Sequence, residues 1–143
     1  DRAGKRVTLH SDESRCATTI LDTAAAMLRD EGTPGAGSAC TIAYNLTGTV
    51  VGNGSEAWMH RPPMVGLAHE LVHAMNATSG TLQAGQSETG VPKLELQAIG
   101  LPFDGIAWDN DGDPTTPSQS GNLSSLTENG FRALFGLAER PRY

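Results

Sequence analysis

The residues whose types and spacing can do chemistry are His69-Glu70-Leu71-Val72-His73, inside the run Gly66 to Asn76. On a helix, two histidines four positions apart share one face, with Cβ atoms roughly 5–6 Å apart, so both imidazoles converge on one metal ion. Zinc in catalytic sites takes three protein ligands and keeps a position open, so this pair supplies two of the three. Glu70, one position past the first histidine, sits beside the ion rather than on it. A carboxylate there takes a proton from activated water and later hands it to a leaving amine. The chain has 4 histidines in 143 residues, so the pattern arises by accident on the order of once in a few hundred such chains. The bland alternative is two surface histidines and a solvated glutamate. Leu67, Leu71 and Met75, with Val72 on the flank, argue against it by giving the helix an apolar back.

Two acidic residues downstream compete for the third ligand. Glu88 lies in the polar stretch Gln86 to Gly90, whereas Glu95 lies one turn into a short helix expected from Pro92 to Ile99 and closed by Gly100. A charge flanked by Leu94 and Leu96 needs a partner, and a metal is one; Lys93 or Arg132 would be another.

The elements that must position these groups read as follows. A strand-like lead, Lys5 to His10, precedes a helix expected over Asp12 to Asp30, capped by Ser11 or Asp12, with Ala17, Ile20, Leu21, Ala24 and Leu28 at helical spacing. Thr41 to Val51 and Ser55 to Met59 read as strands, the latter a candidate rail for an extended substrate or else an ordinary edge strand. Pro62 and Pro63 start the HExxH helix, which ends by Gly80. Asp104 to Asn122 is a solvated loop whose acidic centre lacks the glycine and closing glutamate of a calcium loop. Ser125 to Glu128 reads as a capping box, and Phe131, Leu134 and Phe135 as the apolar side of a last helix.

The length suits one domain, 1–143, with a core large enough not to need a metal for folding, which leaves the zinc for chemistry. The formal net charge of −6 and scattered basic residues speak against a nucleic-acid surface, and no apolar run is long enough for a membrane helix. The start has neither a signal peptide nor an initiator methionine, so the chain reads as a domain cut from something longer. Cys16 and Cys40 are too few for a disulfide scaffold and lack zinc-ribbon spacing; one bridge or two separate thiols are both open.

Taken together, Pro63 to Ala74, Glu95 to Leu101, Leu126 to Asn129 with Phe131-Arg132, and Arg140 to Tyr143 resemble the effector zinc metallopeptidases typified by NleD, which look like shrunken clostridial neurotoxin light chains. The first 60 residues carry none of this resemblance. It implies an α+β, zincin-like fold with a small mixed sheet around the HExxH helix. It also implies Glu95 as third zinc ligand, and Arg140 and Tyr143 as groups that bind the oxyanion and substrate carbonyl. The alternative for Arg140 and Tyr143 is a frayed tail, and Arg142 reads as a solvated charge. Glu128 either orients a ligand histidine from behind or is the capping-box carboxylate, and the cap is the preferred reading.

The sequence therefore points to a zinc endopeptidase, expected to be monomeric, and the resemblance alone implies that it is secreted by a bacterium and delivered into a host cell to cut a protein there. Alternatives are an antibacterial peptidase acting in a competitor's periplasm, which would favour a Cys16–Cys40 bridge, and a zinc-stabilised binding module without turnover.

Overall fold

Residues 5–143 are described in a computed structural model. The first β-branched stretch forms β1 (Val7–Ser11), and Ala17–Ile20 forms β2. Both pair with β3 (Cys40–Tyr44), β1 in parallel and β2 antiparallel, so the sheet order is β1-β3-β2 with β3 in the centre. Four α-helices accompany this sheet among the described residues: α1 (Thr23–Ala26), α2 (Pro63–Ser79), α3 (Lys93–Ile99) and α4 (Glu128–Leu134). The fold is α+β with a small mixed sheet.

The HExxH run lies in α2, whose 17 residues make it the longest of these helices. Proline is tolerated in the first turn of a helix, where its missing N–H costs nothing, and Pro63 stands there. Gly80 ends α2 at φ 74°. Only glycine adopts that conformation freely, and a Cβ at Gly80 would collide with the Gly35 carbonyl that passes beside it. One side of α2 packs on the sheet through Ala74 and Leu67 against Cys40 and Ile42, while Ala77 meets Ala26 and Leu82. Leu71, expected on the buried back, is 48% exposed, and small residues do the close packing instead.

α3 is pinned beside α2 by buried amides. Gln97 donates to the Thr81 carbonyl at 2.9 Å and accepts from the Gln83 backbone N–H at 3.2 Å. Gln83 in turn donates to the carbonyls of Ile106 and Ser120 at 2.7 and 2.9 Å, tying the long 104–122 loop to the same place. Buried polar groups need such partners, and here they serve as the joints between elements.

Four expectations are corrected. The helix over 12–30 does not form. Asp12 accepts from the Ser14 N–H and hydroxyl at 2.8 and 2.6 Å and turns the chain, the β-branched Thr18-Thr19-Ile20 joins the sheet, and only one helical turn follows, capped by Asp22 rather than by Ser11 or Asp12. Tertiary pairing outweighs local helical periodicity, since Leu28 and Leu82 N–H groups take carbonyl partners across the chain at 2.9 and 3.1 Å.

The second correction concerns the strands after Thr41. β3 stops at Tyr44 because the Asn45 side chain accepts from the N–H groups of Thr47 and Gly48, both at 2.8 Å. Ser55 to Met59 is no strand: Ala57–Met59 is a 3-10 turn that buries Trp58. It cannot offer a row of free backbone groups to a substrate.

Third, Ser125 does not cap the last helix. Ser124–Leu126 is a 3-10 turn, and Thr127 caps α4 by accepting from the Gly130 N–H at 3.0 Å. Fourth, the apolar pattern of α4 marks its inner face only in part: Phe131 is half-buried, but Glu128 and Arg132 are fully buried, while Leu134 and the following Phe135 are 77% and 51% exposed. The 104–122 stretch is the irregular loop expected, with its carboxylates engaged in local turns such as Gly112 N–H to Asp109 and Asp113 N–H to Asp111.

Candidate metal and catalytic site

α2 carries His69, Glu70 and His73 on one side, all three at 5–6% exposure. The Nε2 atoms of His69 and His73 lie 3.1 Å apart with the rings edge to face. Glu95, from the first turn of α3, places Oε2 at 3.2 Å from His69 Nε2 and Oε1 at 3.4 Å from His73 Nε2. Two imidazole nitrogens and a carboxylate thus point at one another rather than outward to water. For ligands at about 2.0–2.1 Å in a tetrahedral arrangement, neighbouring donor atoms are roughly 3.3–3.4 Å apart. The spacing and chemistry of this donor set fit a small divalent ion. Glu88, the competing carboxylate, is exposed on its loop and takes no part in the cluster. Neither Lys93 nor Arg132 forms an ion pair with Glu95; Arg132 is taken by Glu128.

Behind His69 stands Glu128, from the first turn of α4. Its Oε2 accepts from His69 Nδ1 at 2.9 Å, and its Oε1 from Arg132 Nε at 2.8 Å. This contact commits Nδ1 as the donor and turns Nε2 toward His73 and Glu95, a backing that fixes both the ring and its tautomer. The capping role preferred from sequence is therefore replaced by this one. A glutamate four positions before an arginine on the same helix was the available signal. The apolar pattern of α4, which assigned its inner face to Phe131 and Leu134, concealed it.

These contacts govern the charges. Burial alone would lower the pKa of His69, but hydrogen bonds to Glu128 and Glu95 outweigh it and raise the value to about 9. Burial would raise both carboxylates, yet His69 and Arg132 bring Glu128 down to about 2, and the two histidines hold Glu95 well below the usual carboxylate range. A metal held at Nε2 of His69 would take the place of the proton that faces Glu95 there.

The C-terminal stretch closes one side of the site. Arg140 is buried, its NH1 lies 3.5 Å from Glu128 Oε2, and its backbone N–H donates to Asn129 at 2.7 Å. Its guanidinium lies 5.2 Å from the centre of the Tyr143 ring and 5.9 Å from that of Trp58. Burial lowers the Arg140 pKa and raises that of Tyr143, the latter also through the nearby Glu95. Tyr143 itself is half exposed at the rim. Arg142, read as a free charge, pairs with Glu56 and covers Trp58.

A cleft of about 310 Å³ contains His69, Glu70, His73, Glu95, Arg140 and Tyr143 along with residues of β2. A larger cavity of about 590 Å³ beside α4 has Glu139 as its one ionisable side chain, and another of the same size has Glu88, Asp104, Arg142 and Tyr143 but no histidine. All six residues singled out in the sequence are brought together there. Two lining groups went unrecognised: Arg61, hidden as the residue before Pro62, and Thr18, hidden by the helical reading of its segment. The β-branched run around Thr18 was the signal for a strand.

The family model of Peptidase_M91, described as an effector protein, matches residues 4–143. The chain belongs to this family. It is the group that the sequence resemblance indicated, and membership makes the chain a peptidase-type effector with protein as its substrate. Neither the curated proteins nor the solved structures that were compared gave a match. No helix among the described residues is long and apolar enough to cross a membrane.

Cys16 and Cys40 are both free thiols. Cys16 precedes β2 at the Tyr44 end of β3, and Cys40 lies at the other end, opposite Ile20. Four residues of strand separate those ends, about 13 Å at 3.3 Å per residue, well beyond the roughly 7 Å that a disulfide spans between Cα atoms.

Proposed function

We propose that residues 1–143 form a zinc-dependent endopeptidase domain of zincin type, delivered from a bacterium into a target cell to hydrolyse a protein there. The observation that carries this reading is the convergence of His69, His73 and Glu95, with Glu70 next to the first ligand in the same cleft. Two neutral imidazoles and a carboxylate are the ligand type of hydrolytic zinc, and three ligands leave a position for chemistry. Zinc bound there would polarise the scissile carbonyl and make water acidic enough to ionise near neutral pH.

The chain's own residues do the rest. Glu70 accepts the proton of the attacking water and delivers it to the leaving amine nitrogen. Arg140 and Tyr143, at the cleft wall, donate to the oxygen on which negative charge develops. Arg140 is held for this by Glu128 and by Asn129. β2 pairs only with β3 among the described residues and lines the cleft, so its free edge, rather than Ser55 to Met59, is where an extended substrate would lie.

The free, widely separated cysteines remove the support that a bridge would have lent to a periplasmic target. A closed four-ligand structural site lacks its fourth donor among the described residues. Glu70→Gln is expected to fold, to bind about one zinc per chain, and to lose at least about 10²–10⁴-fold of its hydrolysis. Substantial cleavage by this variant, followed by mass spectrometry of new termini in target-cell lysate, would sink the mechanism.

A further inference from the structure

Glu70 is 5% exposed. A buried carboxylate has about four lone-pair positions to satisfy, yet among the described residues its only hydrogen-bond donor is the Thr18 hydroxyl, 2.8 Å from Oε2. The same hydroxyl lies 3.1 Å from the Glu70 main-chain carbonyl oxygen. One hydroxyl is thus clamped between the side chain and the backbone of the residue that the proposed mechanism uses as base.

We infer that Thr18 is the positioning residue of Glu70, an inference that rests on the peptidase reading above. The last torsion of a glutamate is broad and nearly two-fold, so packing alone does not choose which oxygen faces the reaction. A donor on Oε2 breaks that symmetry and leaves Oε1 without a protein partner, available to water in the cleft. Thr18 is itself held firmly. Its β-branched side chain has few χ1 choices, and its backbone is fixed by pairing with Ile42 in β3.

The arrangement also suits both halves of the reaction. When Glu70 takes a proton from water on Oε1, Thr18 keeps donating to Oε2, and the proton then leaves Oε1 for the amine nitrogen. The base becomes the acid without changing its hydrogen bond.

The test compares Thr18→Val, which keeps the shape and removes the hydroxyl, with Thr18→Ser, which restores the hydroxyl. With a mixture of internally quenched peptides as probe, Thr18→Val is expected to lower kcat about 10–100-fold, part of the total due to a positioned base. KM should stay within about threefold, because the loss lies in the transition state. Zinc content should be unchanged, and Thr18→Ser should recover most of kcat. A readout independent of turnover is the side-chain carboxyl ¹³C resonance of Glu70 in metal-free protein. One resonance is expected in the wild type and Thr18→Ser, and a shifted or broadened one in Thr18→Val. An unchanged resonance in Thr18→Val, or a raised KM with kcat intact, would overturn the inference. Glu70→Gln run in parallel separates the two failures. If it is inactive while Thr18→Val is fully active, only the role of Thr18 falls; if it is active, the base itself is misassigned.

Discussion

α2 and α4 both send charged groups into the same site, but they solve the packing problem in opposite ways. α2 buries His69, Glu70 and His73 and also packs Val65, Ala74 and Ala77 away from solvent, so its polar and apolar faces are both covered. The apolar face of α4 is thin, with Phe131 only half-buried. This helix buries Glu128 and Arg132 and leaves Leu134 and Phe135 in solvent. Hydrophobic periodicity reports the inner face of a helix only when apolar contact is what holds it. In α4 the holding force is a charge network: Arg132 donates to Glu128, and also to the carbonyls of His60 and Ala138 at 3.2 and 3.1 Å. In the proposed mechanism the long helix carries the reacting groups, and the short one carries the charge that aims them.

The first way to sharpen this contrast acts on ligands rather than on backing. Glu95→Ala is expected to weaken zinc binding severely and abolish hydrolysis, while Glu88→Ala leaves both near the wild-type level. A zinc titration of the two variants that came out reversed would remove Glu95 from the ligand set.

A smaller but still large effect is expected from Glu128→Ala. Removing a group that orients a ligand histidine typically costs 10–100-fold in metal affinity. It also leaves Arg132, fully buried, without its carboxylate, a loss of about 3–5 kcal/mol. Denaturant unfolding of the metal-free variant measures the second quantity separately from the first. Full stability in Glu128→Ala would mean that α4 is held by its apolar residues after all.

The same network predicts how the metal-free protein responds to pH. The folded pKa of His69, about 9, lies above its ordinary 6.5, so its contribution is fully present below pH 6.5 and lost as pH rises through 9. Glu128 is depressed to about 2 from 4.5, so its contribution is present above pH 4.5 and lost as pH falls toward 2. Tm of metal-free protein should therefore be highest between these limits, and Glu128→Gln should flatten the alkaline decline. An unchanged alkaline slope in that variant would break the link between α4 and His69.

The smallest effect is the one that the apolar pattern would have ranked high. Leu134→Ser should change stability by no more than about 0.5 kcal/mol, as for other exposed positions. A loss of several kcal/mol in the same unfolding experiment would restore the apolar face as the inner one.

What the sequence determined by itself was local and close to the HExxH run. The helical spacing of His69 and His73, the prolines that start α2, Gly80 that stops it, and a charged Glu95 in an apolar run are all short-range features whose physics acts within a few residues. The family too was legible from ordered motifs. The sheet was legible only in part, because Ala17 to Ile20 has helical spacing and β-branched residues at once, and the choice between them was made by pairing with β3. The same holds for Thr18 beside Glu70, 52 positions apart in the chain, and for Glu128 behind His69, 59 apart. No local pattern encodes such contacts. They exist because the sheet edge and α4 are both packed against α2, where a buried carboxylate and a buried imidazole each require a partner.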